Sequence, residues 1–148
     1  LLALNNPLID IIQVPFNILD RRLIDNNFFK IAKKKKKKVF IRSVYLQGLL
    51  TMSDEDLINK NMSWAIPHLL RLRQFNHDNK IDIKSFALNA IIEKAVNSFI
   101  ITGVDNIDQL KQNISLLNND IFSKNILNDW WDNLPILPEK LLNPSLWN

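Results

Sequence analysis

The chain has 148 residues, 47% of them hydrophobic and 23% charged, a balance that suits one soluble globular domain and excludes a disordered or fibrous polypeptide. Cysteine is absent, which excludes a disulfide framework and a thiolate metal site and fits a reducing, cytoplasmic setting. The net charge of +4 is local: outside the six consecutive lysines of residues 33–38 there are 13 basic residues against 15 acidic ones, a net −2.

Residues 1–8, LLALNNPL, are too short and lack the basic flank of a signal peptide, and no apolar run approaches the roughly 18 residues of a membrane span. The chain begins with leucine and leads almost at once into a strand, so an N-terminal portion is expected to be missing. Residues 9–14, IDIIQV, read as a buried strand with Gln13 as its polar exception, stopped by Pro15. A helix is expected over residues 23–38, with Leu23, Ile24, Phe28 and Ile31 at helical spacing and the lysines in its last turn, where cations complement the dipole. A basic run can also attract nucleic acid or anionic lipid. No second basic cluster or interleaved aromatic accompanies this one, so neither partner is expected.

Residues 39–44 read as a second strand that hands over to a loop at Gly48. The acidic group Asp54, Glu55 and Asp56 reads as a helix N-terminus capped by Ser53 rather than a metal site. Residues 64–76 have a helical pattern that Pro67 permits only near its start, and His68 and His77 lack the spacing of a helical metal pair. Asp82 is expected to cap a helix over residues 83–96, with Phe86, Leu88, Ile91, Ile92 and Ala95 apolar. A third strand follows at residues 99–102, then Gly103, then a helix opened by Asn106 and Gln109 as a capping-box pair. Both glycines of the chain thus follow strands, where backbone N–H groups in α/β proteins approach phosphates.

Strands alternating with helices predict an α/β fold with parallel strands, and three βα units make a little under half of a (β/α)8 barrel of about 250 residues. The expected fold is therefore a partial TIM barrel, its last three βα units with a C-terminal helical tail, in a single incomplete domain over residues 1–148. Three strands leave two sheet edges and the inward faces of Ile11, Gln13, Ile41 and Ile101 without a cover, so self-association of the chain is expected.

IIQVPFNILDRR, VFIRSVYLQGLL and ITGVDNIDQLKQNI resemble, in order, the sixth, seventh and eighth barrel strands and following loops of the aldo/keto reductase family, and LPEKLLNPSLW resembles the tail of a bacterial branch. The resemblance covers nearly the whole chain and implies an oxidoreductase that reduces an aldehyde or ketone with NADP or NAD. It implies that Gln13 bonds the nicotinamide carboxamide and that Arg42 stands where many members stack a tyrosine on the ring. Ser43 and the backbone of Leu46, Gln47 and Gly48 match the pyrophosphate loop; Gly103, Gln109, Gln112 and Asn113 match the adenosine end. Many members have basic residues at the Gly103 and Gln109 positions to hold a 2′-phosphate, so the preference for NADP over NAD is open. The family's catalytic tyrosine, lysine, aspartate and histidine come from the first half of the barrel, and no residue here takes a catalytic or metal-binding role. The only tyrosine, Tyr45, falls in the cofactor loop. The second function class is a non-catalytic half-barrel module, separable from the first by turnover of a test aldehyde.

Overall fold

A computed structural model describes residues 2–119 and 122–147. Helix α1 (Leu2–Asn5) leads into strand β1 (Ile11–Pro15), and α2 (Arg22–Asp25) and α3 (Phe28–Lys34) carry the chain to β2 (Lys38–Arg42). Next come α4 (Asp54–Asn59), α5 (Ile66–Asp78) and α6 (Ile83–Lys94), then β3 (Ser98–Ile100) and α7 (Ile107–Asn119). The last two helices are α8 (Lys124–Asn133) and α9 (Glu139–Leu142). The strands form one parallel sheet in the order β1-β2-β3, with Gln13, Phe40 and Phe99 in one row across it. Parallel strands joined by helical crossovers, with the flanking helices on the outside, make part of a (β/α)8 barrel.

The single helix expected over residues 23–38 is two, because Asn27 adopts a left-handed conformation (φ 53°) that breaks the first turn from the rest. Asparagine tolerates that region better than most residues. The lysine run is not simply a last turn. Lys36 is left-handed (φ 56°), its N–H donates to the Lys33 carbonyl, and the N–H of Lys37 donates to Ala32. That is a Schellman cap with lysine where glycine usually sits. Lys38 already belongs to β2 and pairs with Ile11, so the run lies at the N-terminal end of the sheet.

Alternation along the strands sorts the two faces. Ile12, Val39 and Ile41 point to the helices and join a core with Phe16, Leu19, Phe86, Ile91 and Trp130. The other face carries Ile11 (56% exposed), Phe99 (53%) and Ile101 (44%), with Gln13, Lys38 and Arg42 also exposed. Half-buried Phe40 stacks on Phe99 there, ring centres 4.9 Å apart. Ile41, expected on this inward face, is instead fully buried under the helices. The register explains the difference: Ile11 and Gln13 pair with Lys38 and Phe40, so Ile41 has the opposite parity.

The ends of the chain are tied together. Trp130 Nε1 donates to the Ile18 carbonyl at 2.9 Å inside the core, and the Arg21 guanidinium donates to the Leu134 carbonyl at 3.1 Å. Trp131 stacks on Phe16 (5.8 Å), holding the loop after β1 against α8. Among the described residues no helix is long and apolar enough to cross a membrane.

Candidate functional site

The C-terminal ends of β2 and β3 open onto a cavity of about 480 Å³, within the usual size of a small-molecule pocket. From β2 the chain enters it through Ser43 (φ 62°) and then through three consecutive left-handed residues, Leu46, Gln47 and Gly48 (φ 49°, 53° and 84°). Leu46 is held in this costly conformation by its side chain, which is buried in the core, while Gln47 is exposed. Strained backbone of this kind concentrates at binding sites. Gly48 takes the conformation that an L-residue resists most, and Thr51 Oγ1 donates to its carbonyl at 3.1 Å.

The other wall comes from β3 and α7. Ile101 extends the β3 pairing, its N–H donating to the Ile41 carbonyl, and Thr102, Gly103 and Asp105 follow it along the cavity. Asn106 caps α7 by accepting the N–H of Gln109 at 2.9 Å. The expected capping box is shifted by one residue: Gln109 Oε1 accepts the N–H of Asp105, not that of Asn106. Asn113 Nδ2 lies 3.5 Å from Thr102 Oγ1, at the limit of a hydrogen bond, one turn further along. Lys84, in the first turn of α6, donates to Gln112 Oε1 at 3.0 Å.

Seven of the ten residues expected to bind a cofactor meet here: Ser43, Gln47, Gly48, Gly103, Gln109, Gln112 and Asn113. The other three do not line the cavity. Gln13 is on the bare face of the sheet, two strands from β3; Leu46 contributes only its backbone conformation; Arg42 reaches the rim, its guanidinium 3.2 Å from Ser43 Oγ. The two glycines also differ. A side chain on Gly103 would meet no protein atom within 4 Å, so the fold itself does not demand glycine there, whereas the φ of Gly48 does.

Sequence reasoning missed Thr51, Lys84 and Asp105 as lining residues, while Tyr45, placed in the cofactor loop, lines the cavity as well. Lys84 lies in the helix expected over residues 83–96, and nothing in its spacing points to α7. Burial, with Asp82 adding to it, pushes the Tyr45 phenol above its ordinary range, and its buried hydroxyl has no hydrogen-bond partner among the described residues. The Asp54-Glu55-Asp56 group is a helix start, with Ser53 and Asp56 closing a capping box. His77 is exposed beside Asp78, and His68 lies with Arg71 and Trp130 in a separate cavity of about 160 Å³. Among the described residues no three histidine or carboxylate side chains gather as a metal ion would require.

Amides, hydroxyls, a left-handed loop and a helix N-terminus suit the binding of a polar, phosphate-bearing molecule. The titratable side chains among the described lining residues are Tyr45, Lys84 and Asp105.

Solved structures carry the same fold. The aldo-keto reductase AKR11C1 from Bacillus halodurans matches in its apo form with a TM-score of 0.65 at 18% identity over 89% of this chain and 45% of that one. Its holo form matches equally well over 44% of its length. A thermostable aldo-keto reductase, Tm1743, solved with the inhibitor epalrestat, matches with a TM-score of 0.56 at 16% identity, over 82% of this chain and 39% of that one. The chain thus spans less than half the length of the solved structures it matches. No curated protein matches. The family model for the aldo/keto reductase family matches residues 4–130, most of the chain, and the chain belongs to that family.

Proposed function

We propose that this chain supplies the dinucleotide-binding part of an oxidoreductase that reduces an aldehyde or ketone with NADPH or NADH. The observation that carries this is the convergence of three separate stretches, residues 43–48, 102–105 and 109–113, on one cavity at the C-terminal ends of parallel strands. The donor set fits such a ligand. The left-handed loop from Ser43 to Gly48 can cradle a pyrophosphate, the capped start of α7 favours negative charge, and Gln112 and Asn113 offer amide edges to an adenine. Gln13 and Arg42, on the bare face of the sheet, are the groups for a nicotinamide.

When bound, a reduced nicotinamide supplies a hydride to a carbonyl carbon. The residues of this chain bind and orient; they do not deliver the proton that must reach the carbonyl oxygen. Tyr45 is the only phenol of the chain, and its hydroxyl is buried with no hydrogen-bond partner among the described residues.

Titrating the 148-residue chain with NADPH, followed by nucleotide fluorescence, tests the assignment. Saturable binding is expected, with Gly48→Val weakening it by about tenfold or more because a β-branched residue resists a left-handed φ. Asn113→Ala removes an amide without backbone strain and should weaken binding as well. No saturation with either NADPH or NADH would end this assignment. Reduction of a test aldehyde by the chain alone, at ordinary enzyme rates, would refute the absence of a proton donor.

A further inference from the structure

The N-terminal end of the sheet, opposite the cavity, holds the most concentrated charge of the chain. Lys33, Lys34, Lys35, Lys36 and Lys38 are exposed, and no carboxylate among the described residues pairs with any of them. The fold adds what the run lacks in sequence, which is apolar company. The Lys37 ammonium donates to the Ile9 carbonyl and, at 2.9 Å, to that of Asn6, pinning the turn that carries Leu8 beside the run. Leu8 keeps 89% of its surface in water and Val96 keeps 58%. We propose that this end of the sheet is a docking surface for an anionic lipid membrane, with the lysines against the headgroups and Leu8 and Val96 in the interfacial layer. The proposal is independent of the dinucleotide assignment above.

The pairing of the strands puts these groups at one level. Ile11 pairs with Lys38 and Val39 pairs with Ser98, so the turns that carry Leu8, the lysines and Val96 all precede their strands at the same end of the sheet. Left-handed Lys36 closes the turn between α3 and β2, which gathers the charge at one corner instead of stringing it along a helix. Little negative charge opposes it. Residues 26–53 contain no aspartate or glutamate, Asp10 is a single exposed carboxylate against five exposed lysines, and Glu93 is paired with Lys94 at 3.5 Å. Each lysine held near an anionic bilayer raises affinity about fivefold, and an exposed leucine beside it gains by leaving water for the acyl boundary. A nucleic acid would use the lysines but would set Leu8 and Val96 against phosphates, where an apolar side chain gains nothing. Cations and exposed apolar side chains on one end of the sheet therefore favour the lipid surface.

The test is flotation of the 148-residue chain with vesicles of phosphatidylcholine, alone or with about 30 mol% phosphatidylserine. The native chain should float with the anionic vesicles, hardly at all with the neutral ones, and less as salt is added. The triple variant Lys34→Gln, Lys35→Gln and Lys36→Asn should lose about a hundredfold in partitioning, asparagine being chosen at 36 because it tolerates the left-handed backbone. Leu8→Asn keeps every lysine and should lose about fivefold or more. Phe99→Thr, on the bare face of the sheet, should stay within about twofold of the native chain. Circular dichroism should show native helix content in all three variants, since every changed residue is exposed. No flotation with anionic vesicles, equal flotation with both kinds, or flotation that survives loss of the lysines overturns the proposal. So does an unchanged Leu8→Asn chain or tighter binding to a DNA duplex than to the vesicles, either of which makes the run a polyanion site. An equal loss in Phe99→Thr overturns it by moving the contact to the bare face.

Discussion

The two faces of the three-stranded sheet are built from similar residues and have opposite fates. Toward the helices, Val39 and Ile41 are buried among aromatic rings; away from them, Ile11, Phe99 and Ile101 keep about half their surface in water. Period-two alternation alone cannot tell which set is inside, since both are apolar. The difference lies in the cover. Crossover helices protect the outer face of a parallel sheet as the chain forms it, while the inner face of a barrel is protected only by other strands. The chain has completed one side of its core and left the other bare.

Paired substitutions should expose this contrast. Ile41→Ala deletes a fully buried side chain and should cost about 2–5 kcal/mol in urea denaturation, whereas Ile101→Ala should cost well under about 1 kcal/mol. Equal costs would mean that the bare face is covered in solution, by a second copy or by another part of the fold. The same face governs association. Phe99→Thr should shift the native chain toward monomer in analytical ultracentrifugation at tens of micromolar, with little change in stability, because it removes an exposed ring and not a buried one. A chain that is already monomeric under those conditions would show that the face needs no partner.

A site on neither face calibrates the scale. Ser53→Ala removes the hydroxyl that accepts the Asp56 N–H at the start of α4 and should cost about 1 kcal/mol. Asp56 adds a sign to this. Hydrogen bonds from Ser53 hold its carboxyl below the ordinary value of 3.8, so the stabilisation is present above that pH and is lost as pH falls through the lower, folded value. The gap between native and Ser53→Ala chains should therefore narrow below about pH 3.8, and a gap that stays constant there would locate the effect in the backbone alone.

Much of this was legible from residue order. The strand–helix alternation, the caps at Ser53 and Asp82, and Pro67 in the first turn of α5 all follow from local chemistry that operates within a few residues. What failed was longer-ranged or stereochemical. The break at Asn27 depends on a single left-handed residue, and the phase of Ile41 depends on a register set by another strand. In the site, the family resemblance singled out Ser43, Gln47, Gly48, Gly103, Gln109, Gln112 and Asn113, and these line one cavity because each lies on a strand-end loop or on the helix that follows one. Lys84 was not singled out, since its meeting with Gln112 joins residues 28 positions apart on two different helices.

The tie between Trp130 and Ile18 also has a consequence in time. The buried Ile18 carbonyl waits for an indole 112 residues downstream, and Arg21 waits for a carbonyl 113 residues on. At synthesis rates of about 5–20 residues per second, that delay on the ribosome is on the order of ten seconds. During that interval the loop after β1 has emerged but lacks the aromatic cover of α8, so the full burial of Phe16, Ile18 and Leu19 waits until α8 leaves the exit tunnel. Helix α8 therefore acts later in biogenesis than the loop it seals.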